Sequence, residues 1–360
     1  MNNCRVRAIA FYLPQFYPTP ENDEWWEPGF TEWTNVTMAK PLFKGHYQPR
    51  LPKDLGFYDL RVPEVREKQA EMARNAGIEG FCYWHYWFAG RRLLDRVFTE
   101  VVNSGKPDFP FCLCWANHSW EAKTWNPTKP NKMLIEQTYP GISDYEAHFY
   151  AMLPAFKDKR YMKVDGKLIF GIFSPRDFFD FSLFSKTWNR LAKLNNLKGF
   201  HFFALTQGTH NSNRFDHSLY DDIVFDKMVD VYRDHEKTWL KRKKYKLLLK
   251  LHKPLVLNYD KYVNLSIDAF KSDESLTPCI DPDFDHTPRS SYWWMVFGNS
   301  TPEKWERLCK STVEVIKSRE KTNRLLFIKS WNEWGEGNYL EPDQKFGHAY
   351  LDATAKALKY

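Results

Sequence analysis

The residues best suited to chemistry lie near the C-terminal end, in the stretch WNEWGE at residues 331–336. It follows the apolar run LLFI and places two glutamates three positions apart. Cleavage of a glycosidic bond requires two carboxyl groups, one to protonate the leaving oxygen and one to act as base or nucleophile. Neighbouring tryptophans lower the local dielectric and raise the pKa of one carboxyl group. Glu333 and Glu336 are therefore the candidate catalytic pair; alternatively, Glu336 caps a helix or pairs with a surface lysine.

Short apolar runs that alternate with amphipathic segments predict the elements that hold this pair. We predict strands at 7–13, 78–87, 109–117, 167–173, 199–207, 221–227, 278–286 and 324–331. Helices are predicted at 62–77, 91–105, 144–157, 179–197, 301–320 and 348–359. Buried strands alternating with helices form a parallel sheet covered on both faces, and eight such units indicate a (β/α)8 TIM barrel of the α/β class. A doubly wound open sheet is the alternative, but no glycine-rich phosphate loop follows any strand.

The whole chain, 1–360, is interpreted as a single (β/α)8 barrel catalytic domain, because no linker of disordered composition interrupts it. Three additions to the barrel are expected. They are long loops at about 14–61 and 118–143 and a basic helical insertion at about 235–272.

Aromatic and planar polar side chains recur where the predicted strands end, at the face where barrels carry their active sites. Sugar rings need an aromatic plane under their C–H face and planar polar groups for their hydroxyls. We therefore predict a carbohydrate-binding cleft, although core packing is the alternative for any single tryptophan and a structural role for any single histidine. The predicted substrate-binding residues are Gln15, Trp25, Trp26, Glu32, Trp33, His85, Tyr86, Trp87, Asn117, His118, Trp120, Asp285, His286, Trp331, Asn332 and Trp334.

Composition and motif spacing argue against metalloproteins, disulfide-stabilised proteins and membrane-spanning proteins. The histidines show no HxH or HExxH spacing, so neither a metal nor a cofactor is predicted. The six cysteines form no CxxC pair and are interpreted as reduced, buried thiols. No run of 18 apolar residues and no long apolar leader are present, which predicts a cytoplasmic protein.

The segment at 235–253, HEKTWLKRKKYKLLLKLHK, carries much of the excess positive charge. One interpretation is an outer barrel helix with a solvated basic face. Another is an amphipathic helix that rests on the inner face of an anionic membrane, where lipid-linked sugars would be substrates. Nucleic-acid binding is the weakest interpretation, because a net charge of +7 is small for a dedicated nucleic-acid binder, and no nucleic-acid partner is predicted.

Five long segments resemble the WbsX-like proteins of bacterial polysaccharide loci over nearly the whole chain. They are residues 10–36, 40–61, 80–94, 106–117 and 329–343. Those proteins are similar in turn to glycoside hydrolase family 99, the endo-α-mannosidase and endo-α-mannanase family, through the barrel and the W-N-E-W-x-E-G block.

The resemblance implies a barrel without metal and assigns roles to the glutamates. In family 99 the first glutamate of the block is the base that deprotonates the sugar 2-hydroxyl, which attacks C1 to give a 1,2-anhydro sugar with retention. The second is the general acid and then the base toward the acceptor. Carried over, Glu333 takes the first role and Glu336 the second. Many WbsX-like sequences read W-A-N-E-N-W where this chain has His118 and Ser119, so a mannose-type substrate does not follow.

Three functions stay open at this stage. Hydrolysis is favoured by the family 99 chemistry, whereas transfer to a sugar acceptor is favoured by the predicted cytoplasmic location and by the role of WbsX-like proteins in lipopolysaccharide or capsule assembly. A carbohydrate-binding protein without catalysis is less favoured, because both glutamates are present. We predict a carbohydrate-active enzyme that makes or breaks a glycosidic bond in a bacterial cell-surface polysaccharide, with a free or lipid-linked glycan as substrate.

Overall fold

Eight parallel strands form a closed barrel in the computed structural model, which describes residues 5–122, 130–320 and 323–359. The strands are β1 (Arg7–Tyr12), β2 (Gly80–Phe88), β3 (Phe111–Trp115), β4 (Lys167–Ile172), β5 (Phe200–Gln207), β6 (Asp222–Asp226), β7 (Leu276–Ile280) and β8 (Leu325–Ile328). They pair in the order β1–β8–β7–β6–β5–β4–β3–β2, and a β1–β2 pairing closes the ring. The predicted (β/α)8 barrel is confirmed, and the open doubly wound sheet is wrong because this sheet has no first and last strand.

Helices cover the outside of the barrel and also fill the long connections. Local signals set several of their ends: the Thr301 hydroxyl accepts from the Lys304 amide at one helix start, and Gly105 ends another with a positive φ. The outer helices are Pro63–Asn75, Arg96–Ser104, Ile142–Phe156, Phe181–Leu194, Tyr259–Ser272, Pro302–Ser318 and Ala349–Lys359. Shorter helices in the connections are Pro20–Trp25, Glu32–Met38, Thr209–Ser212, Met228–Arg233 and Thr287–Ser290, and the basic segment forms Trp239–Lys250.

Two predicted elements are corrected by the structure. The seventh strand was expected at 278–286 but spans Leu276–Ile280, because the aspartates after Ile280 bond to side chains of loops and of the helix Tyr259–Ser272 instead of continuing in the sheet. The helix expected at 91–105 begins only at Arg96, since Arg91–Leu93 forms a short antiparallel strand on β2.

Aromatic rings fill the barrel interior and form the floor beneath the functional face. Phe11 stacks on Trp84 with the ring centroids 4.7 Å apart, and Phe327 packs against Phe203 at 4.8 Å. Gly171 makes room for this layer, because a Cβ there would overlap the Phe203 ring. The interior is therefore a packed core, as in other barrels of this kind, and any binding site must lie above it.

The loop after β1 is attached to the loop after β7 through the buried carboxylate of Asp285. Its oxygens accept hydrogen bonds from His46 Nε2 (2.8 Å), Gln48 Nε2 (2.7 Å) and the Thr287 hydroxyl (2.6 Å). Burial alone would raise the pKa of Asp285, but the hydrogen bond from His46 and the charge of Arg50 lower it to about 2. This carboxylate holds two cleft-forming loops together.

Replacing this carboxylate should therefore lower stability. We expect Asp285→Ala to cost about 3–5 kcal/mol of unfolding free energy, because it leaves buried donors without an acceptor. The native pKa lies below the unfolded value of about 3.9, so the ionised carboxylate stabilises the fold above that pH and loses this effect as the pH falls toward 2. Urea unfolding followed by circular dichroism at several pH values measures the difference.

The matched control is Asp352→Ala, which removes an exposed aspartate from the outer helix Ala349–Lys359 and should change stability little. A difference between wild type and Asp285→Ala that stays constant between neutral pH and about pH 3 would contradict an ionised anchor at this position.

Candidate active site

An open cleft of about 1020 Å³ lies at the C-terminal ends of the barrel strands. Loops that follow the strands on all sides of the barrel contribute to its lining. Its walls combine flat apolar rings with charged and amide groups, which suits a ligand with apolar faces and many hydroxyls. The aromatic residues of the lining are Trp25, Trp26, Phe30, Trp84, Tyr86, Trp120, Phe173, Tyr232, Phe284 and Trp294.

Three carboxylates meet one guanidinium in this cleft. Arg289 Nη2 lies 2.6 Å from Glu333 Oε1, and Arg289 Nη1 lies 2.7 Å from Glu336 Oε1. The same Nη2 lies 2.8 Å from Glu32 Oε2, and Gln15 Nε2 donates to the other oxygen of Glu32 at 2.5 Å. Because Glu333 and Glu336 bind neighbouring nitrogens of one planar group, both carboxyl groups face the same small region of the cleft.

Gly335 leaves the space that the three carboxylates and the Arg289 guanidinium need to lie in contact. It lies between the two glutamates, and a Cβ at this position would overlap Glu32 Oε2 and lie 2.9 Å from Arg289 Nε. Any side chain here would push the ion pairs apart. The Glu-x-Gly-Glu order of types at 333–336 is therefore a steric requirement of the cluster as well as a chemical one.

Buried hydrogen bonds fix the backbone that presents the two glutamates. Asn332 donates to the Leu13 carbonyl (3.0 Å) and accepts from the Leu13 amide (2.7 Å), which attaches the loop to the end of β1. Asn332–Glu333 pairs with Asn338–Tyr339 as a short antiparallel hairpin. The Trp334 ring stacks on Tyr339 with centroids 3.8 Å apart.

Glu341 supports the same loop from below. It accepts hydrogen bonds from Trp334 Nε1 (2.6 Å), Gln69 Nε2 (2.6 Å) and the Tyr58 hydroxyl (2.8 Å). Burial raises the pKa of Glu341 to about 7 despite these donors. Three donors from three parts of the chain thus hold the loop after β8 in place.

The two candidate catalytic carboxyl groups differ in acidity. Burial raises the pKa of Glu333 to about 8, even though Arg289 opposes the shift. Burial also acts on Glu336, but the charges of Arg289, His286 and Lys329 together outweigh it and lower the pKa of Glu336 below its ordinary value. Near neutral pH the cleft therefore holds one protonated and one ionised carboxyl group, as acid–base catalysis requires.

Lys329 places a fixed positive charge on the floor of the cleft. Its Nζ lies 3.9 Å from Asp226 Oδ2 and faces the Phe284 ring at 6.0 Å. Burial would lower the pKa of Lys329, but the charges of Asp226 and Asp281 raise it, so the ammonium stays charged. This charge favours the ionised form of Glu336.

The structure brings half of the predicted substrate-binding residues to the cleft. Tyr86 lies in β2, His118 follows β3, and His286 Nε2 lies 3.8 Å from Oε1 of Glu336 in the candidate catalytic pair. The predicted residues that line the cleft, besides Glu333 and Glu336, are Gln15, Trp25, Trp26, Glu32, Tyr86, His118, Trp120 and His286.

The other half is buried beside or behind the cleft. Strand alternation explains one group: in β2 the side chain of Tyr86 enters the cleft, so its neighbours point toward the outer helices. There His85 Nε2 lies 2.7 Å from His148 Nε2, and Trp87 stacks on the same ring. The predicted residues in buried positions are Trp33, His85, Trp87, Asn117, Asp285, Trp331, Asn332 and Trp334.

Several cleft residues were missed by sequence reasoning. Arg289 lies three positions beyond His286, the last residue of the predicted seventh strand. Lys329 immediately follows β8, where a charged residue after an apolar strand was a usable signal. Trp84 and Trp294 carried no distinguishing spacing, because a tryptophan in an apolar run is equally typical of the core.

The part of the chain that the structure describes contains neither a group of metal ligands nor a membrane-spanning helix. In residues 5–122, 130–320 and 323–359, no three His, Cys, Asp or Glu side chains are grouped in a way that could hold a metal ion. Among the helices of those residues, none combines the length and the apolar character needed to cross a bilayer. The five cysteines within those ranges are free and buried, and Cys4 lies outside them.

Comparison with solved structures places this barrel among glycoside hydrolase folds. A protein described as glycoside hydrolase-like superposes with a TM-score of 0.61 at 14% identity, covering 100% of this chain and 96% of that one. The family 99 endo-α-mannosidase of Bacteroides thetaiotaomicron superposes with a TM-score of 0.57 at 14% identity, covering 98% and 96%. The chain thus has the (β/α)8 fold of glycoside hydrolase family 99.

The chain belongs to the WbsX glycosyltransferase family, as the sequence resemblance predicted. The family model described as glycosyltransferase WbsX matches residues 8–354. The uncharacterized protein WxcX of Xanthomonas campestris pv. campestris, in two strains, is 34% identical over 352 residues, which cover 97% of this chain and 49% of WxcX. The chain therefore spans about half the length of these curated relatives. The chain is therefore a member of this family with a glycoside-hydrolase-like (β/α)8 barrel.

Removing the shared guanidinium tests the electrostatics of the cluster. We expect Arg289→Met to raise the pKa of both Glu333 and Glu336 by roughly 1–3 units, because an opposite charge in contact lowers a carboxyl pKa by that amount. Infrared titration of the carboxyl stretching bands, with Glu333→Gln and Glu336→Gln to assign them, gives the two midpoints. The matched control is Arg307→Met on the exposed side of the helix Pro302–Ser318. Unchanged midpoints in Arg289→Met would show that the guanidinium does not set them.

Proposed function

We propose that this chain makes or breaks a glycosidic bond of a bacterial cell-surface polysaccharide, with Glu333 and Glu336 as the catalytic residues. The single observation that supports this most strongly is the pair of unequal carboxyl groups on one guanidinium inside an aromatic-lined cleft. One group keeps its proton near neutral pH and the other does not. A general acid and a general base are thereby available in one small region of the cleft.

The family 99 route can be written for these residues with every proton accounted for. The Glu333 carboxylate takes the proton of the sugar 2-hydroxyl, O2 attacks C1, and the leaving oxygen takes a proton from Glu336. The acceptor hydroxyl then attacks C1, its proton passes to Glu336, and O2 takes back the proton of Glu333 as the three-membered ring opens. Water as acceptor gives hydrolysis, and a sugar hydroxyl gives transfer.

This route needs the proton on Glu336, whereas the pKa values in this structure favour it on Glu333. A substrate oxygen that separates Arg289 from Glu336 would remove the charge that most lowers the pKa of Glu336. The pKa of Glu336 would then rise, in the direction that the route requires. The opposite assignment, with Glu333 as acid and Glu336 as base, needs no such shift.

The acceptor and the substrate form part of the proposal. The family description supports transfer, whereas the solved family 99 relative is named for the cleavage of a mannoside. A location in the cytoplasm, at the inner face of the membrane, would supply lipid-linked glycan intermediates as substrates. His118 lines the cleft at the position where many WbsX-like proteins have glutamate, so a mannose-type substrate does not follow from the resemblance.

Product analysis tests catalysis and distinguishes its two directions. Wild type and Glu336→Gln are incubated with the released and the lipid-linked surface glycan of the producing cell, in ordinary and ¹⁸O-labelled water. We expect a change in glycan mass with wild type that is slowed about 10²–10⁴-fold in the variant, as loss of a general acid–base group predicts. A shortened glycan with ¹⁸O identifies hydrolysis, and a lengthened or re-linked glycan without ¹⁸O identifies transfer. Binding without any product would favour the non-catalytic alternative.

A substrate with a good leaving group distinguishes the two role assignments. Departure of an activated aryl group needs little proton donation, so the variant that lacks the acid should keep most of its activity on the aryl glycoside prepared from the same sugar. We expect this for Glu336→Gln and a large loss for Glu333→Gln, measured by release of the aryl alcohol over a range of pH. The reverse pattern would assign the acid to Glu333. Equal losses in both variants would contradict separate roles.

A further inference from the structure

We propose that the helix Trp239–Lys250, together with the adjoining Leu251, binds the surface of an anionic lipid membrane. The membrane is the proposed partner of this helix. Only the purpose of the binding, which is access of the cleft to a membrane-bound glycan, rests on the proposed function. The observations that support it are the exposure of the helix, its mixture of cationic and apolar side chains, and its contact with the wall of the cleft.

This helix does not pack as an outer barrel helix does. The structure describes all of its residues, and none of them is buried. Tyr245, Leu248 and Leu249 are half-buried against the body of the protein, and the other nine positions are exposed. By contrast, the helix Pro302–Ser318 buries seven residues against the barrel. The first interpretation from the sequence, an outer barrel helix, therefore fits this segment poorly.

Large apolar side chains lie on the solvent side of the helix. Leu240, Leu247 and Leu251 are separated by seven and four residues, spacings that place them along one side of an α-helix. Leu240 is 70% exposed and Trp239 is 59% exposed. Such a strip of exposed apolar side chains is unfavourable in water, and it is typical of a surface that binds a partner or a membrane.

Positive charge surrounds this apolar strip. The helix contains five lysines and one arginine and no acidic residue, and all six cations are exposed. Lys243 Nζ lies 3.9 Å from the centroid of the Trp239 ring, so the cation and the aromatic ring share one face. Lys241 pairs with Asp234 at 2.6 Å, at the side where the helix joins the barrel.

An anionic membrane accounts for both the exposed apolar side chains and the surrounding cations better than a protein or a nucleic acid does. Lysine is depleted from protein–protein interfaces, where a face with this many lysines would have to be desolvated. Nucleic acid would attract the cations but would leave the leucines in water. Exposed leucine and tryptophan flanked by lysine and arginine fit the surface of an anionic bilayer, which accepts the apolar side chains and attracts the cations.

The helix also contacts the wall of the cleft. The Tyr245 hydroxyl lies 3.4 Å from the Tyr232 hydroxyl and donates to the Trp293 carbonyl at 3.4 Å. Tyr232 stacks on Trp294 with centroids 5.0 Å apart, and both rings line the cleft. A membrane bound by the helix would therefore lie close to the opening of the cleft, where a glycan attached to a lipid could enter.

Vesicle flotation tests the proposal without relying on catalysis. The full chain is mixed with phosphatidylcholine vesicles, or with vesicles in which about a third of the lipid is phosphatidylglycerol. We expect flotation with the anionic vesicles alone and its loss at roughly 0.5 M NaCl, because that salt concentration screens surface charge. Lys243→Glu/Lys244→Glu should lower the partition coefficient about thirtyfold or more, given the contribution of each lysine near a charged membrane. Leu240→Ser/Leu247→Ser should lower it at low salt as well.

Matched variants on another exposed helix serve as controls. Lys186→Glu/Lys193→Glu and Leu194→Ser change exposed residues of the helix Phe181–Leu194 and should leave flotation unchanged. The helix variants should also keep wild-type activity on the released glycan, so a failure of catalysis and a failure of membrane binding give different results. No flotation with anionic vesicles, equal loss in the control variants, or binding to duplex DNA in place of vesicles would each overturn the proposal.

Discussion

The cleft depends on the contact between one guanidinium and three carboxylates that come from three different loops. Glu32 follows β1, Arg289 follows β7, and Glu333 and Glu336 follow β8. Three acidic groups in a partly buried space would repel one another, and the charge of Arg289 allows them to lie together. Burial nevertheless keeps a proton on Glu333 near neutral pH, whereas the charges of Arg289, His286 and Lys329 keep Glu336 ionised. That proton makes one carboxyl group an acid and leaves another as a base.

Such a cluster requires loops with fixed positions. Buried carboxylates outside the cleft fix these loops through hydrogen bonds. Asp285 holds the loop after β1 against the loop after β7, and Glu341 holds the loop after β8 from below. Gly337 brings these supports together, because a Cβ there would lie 2.8 Å from the Asp285 Cβ and 3.0 Å from the Arg50 guanidinium carbon. The aromatic residues of the WNEWGE stretch belong to this supporting layer. Trp331 and Trp334 are buried, and only the two glutamates of the stretch reach the cleft.

The sequence allowed the barrel and the candidate catalytic pair to be predicted for different reasons. Eight apolar runs that alternate with helices were enough to predict a parallel sheet that closes into a barrel, because this pattern is repeated along the whole chain. The position of Glu333 and Glu336 followed from where β8 ends.

Residues around a strand end could not be divided between cleft and core, since that division depends on the pleat and on the path of each loop. Tyr86 therefore reaches the cleft whereas His85 and Trp87 do not, and Asp285 supports the loops instead of lining the cleft. Arg289 was missed because its role depends on contacts between residues that are 44 to 257 positions apart.

The open cleft and the exposed basic helix bear on the same chemical question. A cleft that is open to solvent does not exclude water as an acceptor, so transfer to a sugar requires the acceptor to be held at high local concentration. Confinement of both glycans to one membrane surface would provide this, because an enzyme bound there meets its second substrate repeatedly without leaving the first. A barrel of the glycoside hydrolase type could then transfer in the cell although its residues are equally able to use water. In that case the direction of the reaction is decided by where the cleft is placed as much as by the two glutamates within it.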